Sequence, residues 1–136
     1  MKGTYVLVIN LPRRNNIRFG RRFVGFFSEG YYLYVGSGLR NLEARIQRHL
    51  SDDKKRFWHI DFLLDYGKVV AVYFKESSNR QECDIAKVFA EMFTSVPQFG
   101  CSDCKCKSHL FSGDFSEIIQ EVEKLNLNQY IIEAKG

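Results

Sequence analysis

Residues 30–50 read Gly30-Tyr31-Tyr32-Leu33-Tyr34-Val35-Gly36-Ser37-Gly38-Leu39-Arg40-Asn41-Leu42-Glu43-Ala44-Arg45-Ile46-Gln47-Arg48-His49-Leu50, and the pattern changes character halfway. Tyr31 to Gly36 suits a strand, closed by Gly36-Ser37-Gly38. From Leu39 onward the spacing is helical: Leu39, Leu42, Ile46 and His49 or Leu50 fall on one stripe, which predicts a helix from Leu39 to Leu50. Ser51-Asp52-Asp53 ends it. Upstream, Ser28-Glu29-Gly30 reads as a hairpin turn joining Tyr31 to a strand over Arg21 to Phe27. Pro12 to Asn16 is a basic, turn-like break. Before it, Tyr5 to Ile9 sets Tyr, Leu and Ile against Val and Val, so both alternating faces are apolar. Such a strand is buried on both sides.

Downstream, Phe57 to Asp65 predicts a second helix, with Phe57, Ile60 and Leu64 on one side. Val69 to Phe74 is a further strand. Asn79 is placed to cap a helix that runs to about Phe93. Thr94 to His109 reads as a polar, cysteine-rich loop. Phe115, Ile118, Ile119, Val122 and Leu125 trace a last amphipathic helix. Neither a repeat nor a linker divides the chain, so residues 1–136 are expected to form one domain. The element order predicts an α/β protein of the α+β kind: a small, mainly antiparallel sheet of three to four strands flanked by helices.

Composition narrows the function classes. The chain has 136 residues, 45% of them hydrophobic, with 12 Phe and 7 Tyr, which supports one packed core and excludes a disordered chain. The apolar runs are too short to span a bilayer, so no membrane partner is expected. Met1-Lys2-Gly3 leads straight into a strand, with no leader visible, which points to the cytoplasm. Three of the four cysteines, Cys101, Cys104 and Cys106, crowd together, unlike a secreted disulfide framework, and this favours a reducing compartment. The net charge of +4 leans mildly toward anionic partners.

Several polar residues sit where chemistry could use them. Glu82 shares a helical stripe with Ile85, Ala86 and Phe89, so its carboxylate is aimed at the sheet. A buried charge needs a partner, and a hard divalent cation is one. The plainer alternative is a first-turn Glu favoured by the helix dipole. Arg45 and His49 are one turn apart and share a face, and the planar guanidinium fork matches phosphate oxygens. Tyr5 and Tyr34 are phenols at strand ends, where core packing is the ordinary role.

Taken together, Gly3-Thr4-Tyr5-Val6-Leu7, Gly30-Tyr31-Tyr32-Leu33-Tyr34-Val35-Gly36-Ser37, Trp58-His59-Ile60-Asp61-Phe62-Leu63-Leu64, Glu82-Cys83 and Ser102-Asp103-Cys104-Lys105-Cys106 form an ordered set. The set resembles the GIY-YIG nuclease superfamily, and within it the branch called Uri-type endonuclease, over residues 3 to about 112. The first tripeptide departs from the name-giving motif, reading Gly-Thr-Tyr. The stretch from Pro12 to Gly30 adds a hairpin between the two tyrosine blocks. The resemblance implies a metal-dependent DNA endonuclease, using Mg²⁺ or Mn²⁺ on Glu82. Its catalytic residues would be Tyr5, Tyr34, Arg45, His49 and Glu82, and its products a 5′-phosphate and a 3′-hydroxyl. Tyr5 would activate water, helped by Arg45 and the cation lowering its pKa, and Tyr34 would orient the phosphate. A role in DNA repair or processing follows, and a partner repair protein would supply what the single domain lacks.

Grip on DNA is expected from Ser37, Arg40, Arg48, Lys54, Lys55, Arg56 and His59, the last stacking on a displaced base. Trp58 reads as core. Cys101, Cys104, Cys106 and His109 offer four soft ligands that would close a tetrahedral structural zinc site. The preferred reading of that segment is a loop whose Asp103, Ser108 and His109 bond backbone groups. Two alternatives to the enzyme remain: a nucleic-acid-binding domain assisting another repair protein, and a zinc-stabilised interaction protein.

Overall fold

Strand β1 (Gly3–Leu11) is buried at every position but Asn10, as its doubly apolar sequence requires. It lies between β4 (Gly30–Gly38) and β5 (Lys68–Glu76), antiparallel to both. The computed structural model describes residues 2–20, 23–38, 40–51, 58–77, 81–100, 106 and 108–132. Among them, β6 (Thr94–Ser95), β7 (Leu110–Gly113) and β8 (Asn128–Tyr130) complete a six-stranded sheet in the order β6-β7-β4-β1-β5-β8, antiparallel at every pairing. β2 (Asn15–Phe19) and β3 (Phe23–Phe27) pair only with each other. Among the described residues four helices complete the α+β fold: α1 (Leu42–Leu50), α2 (His59–Leu63), α3 (Glu82–Met92) and α4 (Phe115–Glu123).

Alternation along β1 and β4 divides the core in two. Tyr5, Leu7, Ile9, Tyr32 and Tyr34 pack with α1, α2 and the β2–β3 ribbon through Leu42, Ile46, Ile60, Leu63, Ile17 and Phe19. On the other face, Val6, Val8, Leu33 and Val35 meet α3 and α4 through Ile85, Phe89, Ile118 and Val122. The sheet is therefore covered on both sides.

The structure revises several sequence expectations. The main sheet has six strands where three to four were expected, because β6, β7 and β8 are short outer strands of two to four residues with little alternation. Thr94 and Ser95 fall in the segment expected to be loop. The predicted Arg21–Phe27 hairpin with Tyr31–Gly36 does not form. β3 pairs with β2, whose Asn15 and Asn16 were read as the end of a turn-like break and whose other residues were given no element, and β4 pairs with β1 over nine residues. The nine-residue pairing wins because β1 offers apolar side chains to both faces, whereas β3 leaves Val24 and Phe26 exposed. α1 starts at Leu42, since the Asn41 side chain accepts from the Ala44 N–H at 3.0 Å and caps it there. α2 is shorter than Phe57–Asp65. α3 begins after Gln81, and the expected cap Asn79 lies outside the described residues, as do Arg21, Leu39 and Phe57. Among the described residues no helix is long and apolar enough to cross a membrane.

Candidate active site

The site is anchored by a register. Tyr5 stands opposite Gly36 on β4, and a Cβ at Gly36 would collide with Tyr5 Cζ and Oη. The missing side chain lets the phenol of Tyr5 lie across β4, its ring centroid 6.3 Å from that of Tyr34. α1 follows β4 closely, with Gly38 admitting Leu42 against the strand. The last turn of that helix brings His49 over the phenols, and Tyr5 Oη lies 2.6 Å from His49 Nε2. Tyr5, Tyr34 and His49 are 1%, 7% and 3% exposed. Of the residues expected in one open cleft, Tyr5 and Tyr34 meet here beside His49, but inside the core.

Arg45 connects this buried group to the surface. Its Nη1 donates to the Ser37 carbonyl at 2.9 Å, and its Cζ lies 4.2 Å from the centroid of Trp58. Arg48 Cζ is 4.3 Å from the same ring. The Arg48 fork also makes a bidentate ion pair with Asp61, at 2.9 and 3.0 Å, and Asp61 is wholly buried. Asp61 accepts from the Trp58 N–H as well, so one carboxylate orients both the guanidinium and the indole backbone. Trp58 is thus partly core and partly a platform for two arginines. Outside it, Arg40, Asn41, Ala44, Arg45 and Arg48 line a shallow groove of about 420 Å³. Three guanidinium groups on one groove suit an anion, phosphate above all.

Electrostatics corrects one expectation. The pKa of Tyr5 is raised well above the usual phenol value, first by burial. Arg45 opposes this by its charge and a hydrogen bond to the phenol, while Glu82 and Asp61 add to the rise. Tyr34 is raised too, by burial first and then by Tyr5 and Glu82, with Arg45 again opposing. Arg45 stands where it eases Tyr5 ionisation, and desolvation outweighs it. Both phenols therefore keep their protons at neutral pH. The Tyr5 oxygen accepts from Arg45, and Tyr5 Oη and His49 Nε2 share one hydrogen bond.

Glu82 opens α3, and its field reaches both phenols. Its side chain is 13% exposed, with Oε2 3.8 Å from His109 Nδ1. On the other side of that imidazole, Nε2 is 3.9 Å from Cys83 Sγ. A single carboxylate with an exposed edge fits Mg²⁺ or Mn²⁺, which fill the rest of their shell with water and phosphate oxygens.

The remaining predicted residues fare differently. Ser37 acts through its backbone carbonyl, and Arg40 is exposed on the groove. His59 is half-buried: its Nδ1 accepts from the Gly100 N–H at 2.9 Å and its ring packs against Phe19, Phe23 and Phe99. Burial lowers its pKa. It joins the β2–β3 ribbon to the Phe99–Gly100 turn. Lys54, Lys55, Arg56, Cys101 and Cys104 lie outside the described residues. Ser108 bonds backbone as expected, its Oγ donating to the Leu110 carbonyl and accepting from the Leu110 N–H, each at 2.9 Å. The His109 side chain faces Glu82 and Cys83, and Cys106 joins them. Cys83 and Asp61 escaped the sequence reading. Cys83 has no ligand-like spacing to any other Cys, and Asp61 shows only as an acid in an apolar helix, a signal of a buried partner.

A two-sided antiparallel sheet carrying a tyrosine–histidine–arginine group at one end defines an α+β domain with an arginine-lined groove. Residues 4–130 match the family described as Domain of unknown function DUF123, and the chain belongs to that family. No curated protein and no solved structure matches the chain.

Proposed function

We propose that this domain is a GIY-YIG-type nuclease of the Uri-like branch, hydrolysing DNA phosphodiester bonds with a divalent cation. The observation that carries the reading is Arg45, which lines the arginine groove on one side and hydrogen-bonds Tyr5 on the other. A DNA phosphate seated in the groove meets Arg45, whose fork stabilises charge on the pentavalent transition state. A cation on Glu82 would draw charge from a phosphate oxygen and steady the leaving 3′-oxygen.

The neutral Tyr5 is a relay. Its oxygen takes a proton from the attacking water as its own proton passes to His49 Nε2, leaving an imidazolium that returns the proton to solvent. Tyr34 orients the phosphate. The products are a 5′-phosphate and a 3′-hydroxyl. Purified chain is assayed for plasmid nicking with Mg²⁺ or Mn²⁺. Arg45→Ala is expected to lose about 100-fold or more, on the scale of one transition-state donor. Cleavage that survives both Arg45→Ala and Glu82→Ala refutes the reading.

A second reading has the burial of both phenols in its favour: a nucleic-acid-binding domain that uses the groove and assists a repair protein. It predicts salt-sensitive DNA binding, lost with the groove arginines, and no nicking across duplex, flap and branched substrates.

A further inference from the structure

We infer that Cys83, Cys106 and His109 form a transition-metal site, zinc by its ligand chemistry, that fastens the start of α3 to the lead-in of β7. The ligand atoms of all three lie within 4.8 Å of one another. Cys83 Sγ and His109 Nε2 are 3.9 Å apart. Tetrahedral zinc, with Zn–S of about 2.3 Å and Zn–N of about 2.0 Å, sets neighbouring ligand atoms roughly 3.6–3.8 Å apart. The three groups therefore need only a small inward shift to share one ion. Thiolate and imidazole select zinc over the hard cations that Glu82 suits, so the two sites differ in kind.

The imidazole is set up as a ligand. His109 is 2% exposed and pinned by its backbone, its N–H donating to the Phe99 carbonyl at 2.8 Å and its carbonyl accepting from the Val35 N–H at 3.0 Å. With Nε2 toward Cys83, Nδ1 faces the Glu82 carboxylate. A carboxylate behind a metal-bound histidine fixes its tautomer and raises its basicity. Neither cysteine is in a disulfide, and both are half-buried. Three protein ligands leave a fourth position for water or another thiolate. The ligand set differs from the Cys101, Cys104, Cys106 and His109 spacing seen in the sequence, because Cys83 comes from α3. The site also has a consequence next door. Gly100 is wedged between Tyr34 and His109, where a Cβ would sit 3.1 Å from Tyr34 Cε1 and 3.4 Å from His109 Cβ. An ion on His109 holds that turn against the phenol.

The test reads metal and not cleavage, so it stands apart from the nuclease reading. Reduced, purified chain is analysed for zinc by plasma mass spectrometry, and the metal-free form is titrated with Co²⁺. One equivalent of zinc is expected, with sulfur-to-cobalt charge-transfer bands and tetrahedral ligand-field bands. Cys83→Ser is expected to lose the stoichiometric zinc and weaken those bands. Glu82→Gln is expected to weaken zinc binding about 10–100-fold while leaving the stoichiometry intact. Wild-type chain without charge-transfer bands overturns the site whether or not the variants fold. A Cys83–Cys106 disulfide in the purified protein does so too, as does Cys83→Ser with full zinc and unchanged bands.

Discussion

Two groups of side chains meet at β4 and are held in opposite ways. Tyr5, Tyr34 and His49 are fixed by strand register and by the helix that follows β4 directly. Cys83, Cys106 and His109 come from a helix, a loop and the approach to β7, and His109 is tied to β4 through the Val35 N–H. The first group is held by the core on every side and needs nothing added. The second gathers soft donors, their ligand atoms within 4.8 Å of one another, where helix and loop ends meet. A register can hold polar groups that burial would otherwise scatter; a convergence of loop and helix ends needs a fastener.

That contrast breaks most sharply where the phenol group is undercut. Asp61→Ala removes the acceptor of both Arg48 bonds and of the Trp58 N–H, and with it the platform under Arg45. Breaking a buried pair costs about 3 kcal/mol or more, read as a lower urea midpoint. Zinc stoichiometry is expected to stay at one equivalent. Gly36→Ala is the parallel case: the added methyl forces Tyr5 aside, at about 2–3 kcal/mol for overpacking. A loss of metal in either variant would mean that the two groups are one unit, and the comparison fails.

The difference in construction also decides what the sequence discloses. Arg45 and His49 were legible as neighbours because they lie one helical turn apart, whereas Tyr5 and Tyr34 were singled out only by the resemblance, since a strand tyrosine reads as core. β1 was legible because a doubly apolar run has one home, the middle of a covered sheet. The β3 pairing was not, since a good turn at Ser28-Glu29-Gly30 says nothing about which partner buries more area. Neither was Cys83, whose neighbours come from far along the chain. Solvation was the other blind spot. The resemblance sets Arg45 beside Tyr5, but does not disclose that burial overrides its charge.

Chelation separates the groups from the other direction. Under the inferred site, an excess of chelator over reduced protein removes the ion's contribution, about 2.7 kcal/mol when free metal had stood at 100 times its Kd. The melting temperature is expected to fall and the Phe99–Gly100 turn to exchange amide hydrogens faster. The Tyr5–His49 hydrogen bond is expected to persist, seen as an unchanged His49 imidazole signal by nuclear magnetic resonance. An equal loss at both places would show that register alone does not hold the phenols.

Alkali gives a smaller, graded effect confined to the phenol group. Folded Tyr5 and Tyr34 have raised pKa values, so above the ordinary tyrosine pKa the unfolded chain releases protons that the folded chain keeps. Stability is therefore full below pH ~10 and falls as pH rises beyond it, by about 1.4 kcal/mol per unit for each phenol. Tyr5→Phe is expected to flatten the slope by one phenol's share, measured as urea midpoints between neutral and alkaline pH. An unchanged slope would mean that the phenol ionises while folded.

The smallest effect tests whether the phenol group faces an anion at all. Arg40 is exposed and lines the groove beside Arg45, so its removal leaves the core untouched. If a phosphate backbone lies in that groove, Arg40→Ala releases one counterion fewer on binding. The slope of log K against log salt then falls by about 1, with uniformly weaker binding across DNA sequences. The melting temperature is expected to stay within error of the parent, because surface changes of this kind move stability little. A slope that does not move places the nucleic acid elsewhere on the protein. Arg45 would then keep its contacts with Tyr5 and Trp58 but lose its phosphate, and the nuclease reading would lose the observation it stands on.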